Sequence, residues 1–449
     1  ALDGGFGASV DLEKVPLKVD NMAPWEIWVS ESQERMMFTV KPENVNKVLA
    51  RCEAWDVEAV TIGEVIAEKR NIVRFNGVEI LNLDLEFTTG GPVYKRPYNL
   101  PKYDTGESSG LPDYPSDIGK TMIDLVKQPE VSSKDWVIRQ YDHEVRGKTA
   151  LKPMQGPIGK DSPGDSSVLK PVEDSWRGLA LTADVNPYLM EANPYHGTMS
   201  AVEEVCRNLA AVGARIDSLA DCLCFGNPRK PDIMGQFKAS CEALRDAATA
   251  IDTPYVSGNV SLYNETTEGA IPPTPVLMGV GIVNDIRKCV TSDMKSEGTI
   301  WLVGDTKEEM GASLYYRTIG KECPNIPKTD FGSFIPRMEQ LIQAIENDEV
   351  VACHDISTGG LAMAVIEMCM SGNGVEINLA GETRADVELF SEANGRWVVQ
   401  VAPGSEESFR KRFDFAEMIG DVDDKIIFNK NDEKLVELDI DKTREEWTN

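Results

Sequence analysis

Residues 256–266 read VSGNVSLYNET. The residues leading into them, Thr253 to Val256, are apolar and β-prone, the composition of a buried strand. Ser257, Gly258, Asn259, Ser261, Asn264, Glu265 and Thr266 then supply hydroxyls, amides and one carboxylate. Oxygen-rich groups of this kind suit a hard cation or a phosphorylated ligand, and a glycine among them lets the backbone approach it. Asn259 and Ser261 are two apart, so an extended segment turns both side chains to one side. Val260 and Leu262 are then expected to anchor the segment in the core.

Other stretches concentrate polar groups where strands end, the usual place for ligands in α/β domains. In LADCLCFGNPRKPD, Asp221 follows a strand and Gly226-Asn227-Pro228 forms a turn before a helix opening at Pro231. A carboxylate there serves a cation or nucleotide, or simply caps the turn. TADVNPYLMEANPYHG places Asp184 at a strand end or in a loop, and RQYDHEVRG gathers Arg139, Tyr141, Asp142 and His143. His143, flanked by two acids, fits a hydrogen-bonded structural histidine as well as a base. HDISTGGLAMA sets His354 and Asp355 before Gly359-Gly360, either as a tight helix entry or as a site. Neither GxxxxGK[ST] nor GxGxxG occurs, so a nucleotide would be held through carboxylate-bound Mg²⁺ and backbone groups.

The elements that position these residues alternate in type. RGLALTADV, RIDSLADCLCF and PVLMGVGIV have strand character. SAVEEVCRNLAAVGA has the apolar stripe Val202, Val205, Leu209 and a capping box of Ser200 and Glu203. PDIMGQFKASCEALRDAATAI is a long amphipathic helix. The implied domain is α/β, with helices packed on a sheet.

The two ends of the chain echo one another. SESQERMMFTVKP at 30–42 aligns with SEANGRWVVQVAP at 391–403, matching Ser30 with Ser391, Glu31 with Glu392 and Arg35 with Arg396. TIGEV at 61–65 aligns with MIGDV at 418–422, and LNLDL at 81–85 with VELDI at 436–440. Each copy is expected to run strand, helix, strand, strand, with Met37, Phe38 and Val40 in the first strand. ACHDISTGGLAMAVIEMCMSGNGVEINL precedes the second copy, whereas GGFGASVDL before the first matches only its tail. The chain is thus expected to begin inside a domain. The predicted division is a partial copy at 1–88, a Pro- and Gly-rich linker at about 89–118, a distinct α/β domain at 119–285, and the full copy at 286–449.

A length of 449 residues suits several domains with large cores. The net charge of −28 argues against a nucleic-acid surface, which needs concentrated Lys and Arg. No apolar run approaches a membrane span. Nine scattered cysteines without a CxxC pair point to reduced thiols and a cytoplasmic setting, and three dispersed histidines make a poor zinc site. Cys222 and Cys224 stand two apart.

SESQERM, RQYDHEVRG, ADCLCFGNPRKP, VSGNVSLYNET, PPTPVLMGVG and HDISTGGLA occur together and in order. This set resembles the synthetase subunit of phosphoribosylformylglycinamidine synthase, over essentially the whole chain. The resemblance implies aminoimidazole-ribonucleotide-synthetase-like A and B domains, internally duplicated as A1-B1-A2-B2. By that comparison the first A domain and the start of the first B domain are absent.

It implies ATP- and Mg²⁺-dependent conversion of formylglycinamide ribonucleotide to the amidine in purine biosynthesis. ATP phosphorylates the amide oxygen, ammonia attacks, and phosphate leaves. Positioning and charge neutralisation carry such a step, so metal and phosphate donors matter more than a nucleophile. By motif match, Glu31, Ser32 and Gln33 are the substrate-binding run and Ser261 a further substrate contact. Asp221 and Gly258 contact the nucleotide, and Asn259 is a Mg²⁺ ligand. Asp142, Asp184, His354 and Asp355 fall where the family's auxiliary nucleotide site lies. Ammonia is expected from a glutaminase subunit, with a small bridging subunit as a further partner.

The family's catalytic histidine belongs to the segment without a counterpart here, so turnover by this chain alone is not expected. A non-catalytic nucleotide-binding or assembly role in the same complex is the alternative. A single-module relative acting on another small molecule fits poorly, because such enzymes carry one A and one B domain.

Overall fold

The computed structural model describes residues 4–31, 35–91, 93–101, 110–379, 381–431 and 433–448. The chain divides into two compact units, Ala1–Lys95 and Arg96–Asn449.

The first unit is built on a four-stranded sheet in the order Gly63–Ile66, Gly7–Asp11, Arg70–Phe75, Val78–Asp84. Gly7–Asp11 runs antiparallel to its first neighbour and parallel to Arg70–Phe75, which forms an antiparallel hairpin with Val78–Asp84. Asn76-Gly77 makes the hairpin turn, both residues at positive φ, the conformation a two-residue turn demands. Leu12, Ile27 and Val73 form a small core.

The second unit holds two large sheets. The six-stranded one runs Tyr255–Ser261, Arg215–Cys224, Thr274–Val283, Gly178–Asp184, Ser167–Leu169, Thr149–Leu151. Only its first pair is parallel. The seven-stranded one runs Val350–Asp355, Trp397–Val401, Thr299–Val303, Glu417–Asp423, Gly374–Leu379, Ile426–Lys430, Glu433–Leu438. Its last four strands repeat the first unit's order and pairing senses.

The match extends to register. Gly63 pairs with Val10 and Gly420 with Ile377, and in both hairpins the β-bulge falls one step after the central pair, Val73–Leu81 or Phe428–Val436. A Cβ on Gly63 would lie 2.1 Å from the Ser9 carbonyl oxygen, and one on Gly420 2.0 Å from that of Glu376. The shared glycine of TIGEV and MIGDV thus marks the same close approach of two strands. The repeat is real at the level of individual pairings.

One expectation about it fails. Trp397–Val401 is a buried strand with a neighbour on each side, but residues 36–40 form no strand and Met36, Met37 and Phe38 are exposed. Among the described residues of the first unit no strand lies beside them, and an unpaired extended segment leaves its backbone groups without partners.

The helix Pro194–Ala211 starts earlier than its sequence suggested. Asn193 caps it, its side chain accepting from the His196 N–H at 3.0 Å, and Pro194 takes the first position. The Asn-Pro signal overrides the proposed Ser200–Glu203 box, which lies inside the helix. Val202, Val205 and Leu209 are buried with Leu219 and Leu277 of the six-stranded sheet. The same cluster includes Trp397 and Val399 of the other sheet, so this helix is shared between the two layers. Pro231–Ile251 matches its predicted span.

Two boundaries shift. Ile118–Val126 buries Ile118, Met122, Leu125 and Val126 against the seven-stranded sheet's core, not in the domain proposed for 119–285. Its apolar face finds Val436, Ile440 and Trp447 there. Parts of the proposed linker also dock on the second unit: the Asn99 N–H donates to the Pro231 carbonyl at 2.9 Å, and Arg384 to that of Pro112 at 2.8 Å.

Candidate functional site

Asp221 and Gly258 face each other across the parallel pair Arg215–Cys224 and Tyr255–Ser261, near the strands' carboxyl ends. A Cβ on Gly258 would lie 3.0 Å from both Asp221 carboxylate oxygens, so the glycine keeps that space open. Burial raises the Asp221 pKa, and the Asn259 backbone N–H, donating to the carboxylate, offsets part of that rise. Asn259 and Ser261 pair with Cys222 and Cys224, so alternation turns their side chains to the other face. The structure therefore joins Asp221, Gly258 and the Asn259 backbone on one face, with the Asn259 and Ser261 side chains on the opposite one. Both faces meet at an open edge, because Tyr255–Ser261 ends its sheet.

That edge position corrects the expected burial. Val256 and Val260 are exposed, 67 % and 52 %, since a strand with one neighbour has little to pack against. Leu262 does pack on the core, half-buried. The loop beyond is fastened from within. Asn264 Nδ2 donates to the carbonyls of Phe225 at 3.0 Å and Ser261 at 2.9 Å. Glu265 accepts from the Asn227 N–H at 2.9 Å and pairs with Lys230 at 3.0 Å. Glu265 is thus a brace for the turn before Pro231.

Of the run at 31–33, Glu31 is exposed in the first unit, while Ser32 and Gln33 lie outside the described residues. The flanking architecture recurs: Arg35 donates to the Ser30 carbonyl as Arg396 does to that of Ser391. Glu392, the counterpart of Glu31, is occupied structurally, accepting from Gly359 N at 2.7 Å and Leu314 N at 2.8 Å. Burial pushes its carboxyl up to about 7, with those two N–H groups opposing.

The proposed auxiliary residues divide. Asp142 is exposed in a loop, and no hydrogen bond or ion pair links it to the others among the described residues. Asp184, His354 and Asp355 do come together, around a residue the sequence reading missed. Arg207, 1 % exposed, pairs with Glu203, with Asp355 at 3.0 Å and with Glu204 at 3.5 Å. His354 sits between Asp165 at 2.6 Å and Glu367 at 3.2 Å. Burial pulls the imidazolium down, but Asp165 and Glu367 together hold it well above the usual range. Burial pushes Glu203 up to about 7 against the pull of Arg207, and it drives Asp184, which shares a hydrogen bond with Glu204, up as well.

Asp165, His354 and Asp355 offer ligand atoms within 4.8 Å of one another, the spacing of a cation site. Both ring nitrogens of His354 and one oxygen of Asp355 are already engaged, however. Arg207 and His354 supply the positive charge from within. The cavity alongside, lined by Glu204, Arg207, Ser357 and Glu392, is about 20 Å³, room for a single water. Three of the four residues expected at the auxiliary site, Asp184, His354 and Asp355, belong to this buried ionic network. Its sequence signal was the Glu-Glu-x-x-Arg spacing at 203–207, which sets acid and base one helical turn apart.

The model of the AIR synthase related protein N-terminal domain matches residues 163–283, and that of the C-terminal domain matches 1–76 and 329–427. The chain belongs to the AIR synthase related family. Within that family it is 37 % identical over 458 residues to the phosphoribosylformylglycinamidine synthase subunit PurL of Thermoplasma volcanium, covering 99 % of this chain and 59 % of that protein. The chain thus spans about three-fifths of the length of the curated relative it matches. Thermotoga maritima PurL complexed with ATP shares the fold, with a TM-score of 0.60 at 21 % identity over 94 % of this chain and 60 % of that one. The same protein complexed with FGAR gives 0.59, also at 21 % identity, over 94 % and 58 %. Among the described residues, no helix is long and apolar enough to cross a membrane.

Proposed function

We propose that this chain forms part of the synthetase that converts formylglycinamide ribonucleotide to the amidine, using ATP and Mg²⁺. The observation that carries the reading is Asp221 set against Gly258 at the carboxyl ends of two parallel strands, where α/β folds present ligands. The donors fit the group they would hold. Asn259 offers an amide oxygen, a hard ligand of the kind Mg²⁺ takes, on one face of the strand, and Asp221 offers a carboxylate toward the nucleotide on the other. The missing Cβ at Gly258 leaves room for phosphate against backbone.

Mg²⁺·ATP, when bound, supplies the phosphoryl group that activates the amide oxygen. The chain's own residues bind and orient. Asp221 and Gly258 would hold the nucleotide on one face of the strand edge, and Asn259 would hold the metal and Ser261 offer a hydroxyl to the ribonucleotide on the other. In the first unit, Glu31, Ser32 and Gln33 are assigned to substrate by motif. Ammonia comes from a glutaminase subunit, with a small bridging subunit in the complex, and the setting is cytoplasmic. The relatives' name and the ATP- and FGAR-bound PurL structures support this reading.

Kinetics of the assembled enzyme test it. Asn259→Ala raises the Mg²⁺ requirement, because a metal ligand acts on developing charge. Ser261→Ala mainly weakens the ribonucleotide, by about 0.5–1.5 kcal/mol for a neutral hydrogen bond. Wild-type behaviour of both variants at limiting substrate and limiting Mg²⁺ would refute the assignment.

A further inference from the structure

Cys222 and Cys224 lie on the same face of Arg215–Cys224, with their sulfurs 3.7 Å apart. Both are free and half-buried. Buried Leu223 between them points to the core, so the two thiols face away from the packed helices. Asn259, across the strand pair from Cys222, brings its side-chain nitrogen to 3.4 Å from that sulfur. A half-turn of the amide presents the oxygen instead.

The spacing discriminates between two fates for a thiol pair. Two thiolates held at about 2.3 Å from a tetrahedral ion are roughly 3.8 Å apart, close to the separation seen. A disulfide needs the sulfurs at about 2.05 Å. It must also span residues i and i+2 of an extended strand, at roughly 6.4–6.8 Å between Cα atoms, the upper end of what the bond tolerates. The strand geometry favours the ion.

We propose that Cys222, Cys224 and Asn259 form a binding site for a soft divalent cation of the zinc and cadmium class, completed by water. Thiolates select such an ion over Mg²⁺ by ligand softness, and the amide oxygen is an acceptable third donor. Binding replaces the two thiol protons with the metal, releasing both to solvent. Because each thiol must lose its proton to bind, affinity rises with pH. The site stands whether or not Asn259 also serves a nucleotide, since its test involves no ATP.

The experiment titrates the reduced protein with Cd²⁺ and follows the ultraviolet thiolate-to-cadmium charge-transfer band, which carboxylate-bound cadmium lacks. One equivalent develops the band in the wild type. Cys222→Ser and Cys224→Ser each lower the affinity at least tenfold and diminish the band, and Asn259→Ala lowers affinity less. Cys222→Ala and Cys224→Ala replace any serine variant that fails to fold. An undiminished band in both cysteine variants overturns the proposal, as does absence of a band in the wild type. Loss of both thiols to a Cys222–Cys224 disulfide under mild oxidation, with no cadmium band from the reduced protein, overturns it in favour of the covalent pair.

Discussion

Gly258 faces Asp221 so closely that a methyl group on it would sit 3.0 Å from both carboxylate oxygens. Gly258→Ala therefore pushes the Asp221 side chain aside while leaving an exposed edge strand otherwise intact. Nucleotide affinity in the presence of Mg²⁺ is expected to fall about tenfold, equivalent to ~1.4 kcal/mol, with little change in melting temperature. Titration calorimetry alongside thermal unfolding separates the two effects. An equal loss of stability would mark the glycine as structural.

Arg207 neutralises a largely buried carboxylate cluster. Arg207→Met leaves Glu203, Glu204 and Asp355 without their shared cation and is expected to cost about 3–5 kcal/mol. Denaturant unfolding of the full chain measures it. A loss below ~1 kcal/mol would show that the acids simply take up protons.

The same cluster gives stability a pH dependence of defined sign. Burial raises the Glu203 carboxyl from 4.5 to about 7 in the folded state. Between those values the native protein holds a proton that the unfolded chain has released, so stability falls as pH rises through this window. His354, raised above 6.5, acts in the same sense, losing its contribution as pH rises through its folded value. Glu203→Gln removes one titrating group and is expected to flatten the profile by roughly 2–3 kcal/mol, at ~1.4 kcal/mol per pKa unit. Urea midpoints between pH 5 and 8, compared with wild type, check it. A parallel profile in the variant would place the dependence elsewhere.

Gly63 and Gly420 occupy one position in two copies of the sheet. Alanine at either drives a methyl into a backbone carbonyl, at 2.1 Å and 2.0 Å respectively, and is expected to destabilise its own unit by about 1–3 kcal/mol. Amide exchange resolves the units: Gly63→Ala accelerates exchange within 1–95 and Gly420→Ala within 96–449. Identical exchange maps for the two variants would contradict the division.

What the sequence disclosed follows from how local each signal is. The repeat was visible because the same strand pairings need the same residues, such as the glycines of TIGEV and MIGDV. The span of Pro231–Ile251 was legible from its apolar period and its opening proline. Burial was not, since it depends on neighbours: Val260 and Val401 are both β-branched residues in strands, yet one ends a sheet and the other lies inside one. The Arg207 network escaped for the same reason. Asp184 and Asp355 lie far from Arg207 in sequence and meet it only where Pro194–Ala211 passes between the two sheets, and Asp165 joins through His354.

The most direct test of the nucleotide site at this strand edge is amide hydrogen exchange with and without saturating Mg²⁺·ATP. Exchange is expected to slow at residues 219–224 and 255–261 in the wild-type chain, and this protection is expected to vanish in Asn259→Ala. Nucleotide binding that leaves both segments unprotected, or protection that survives Asn259→Ala at every Mg²⁺ concentration, would contradict the account.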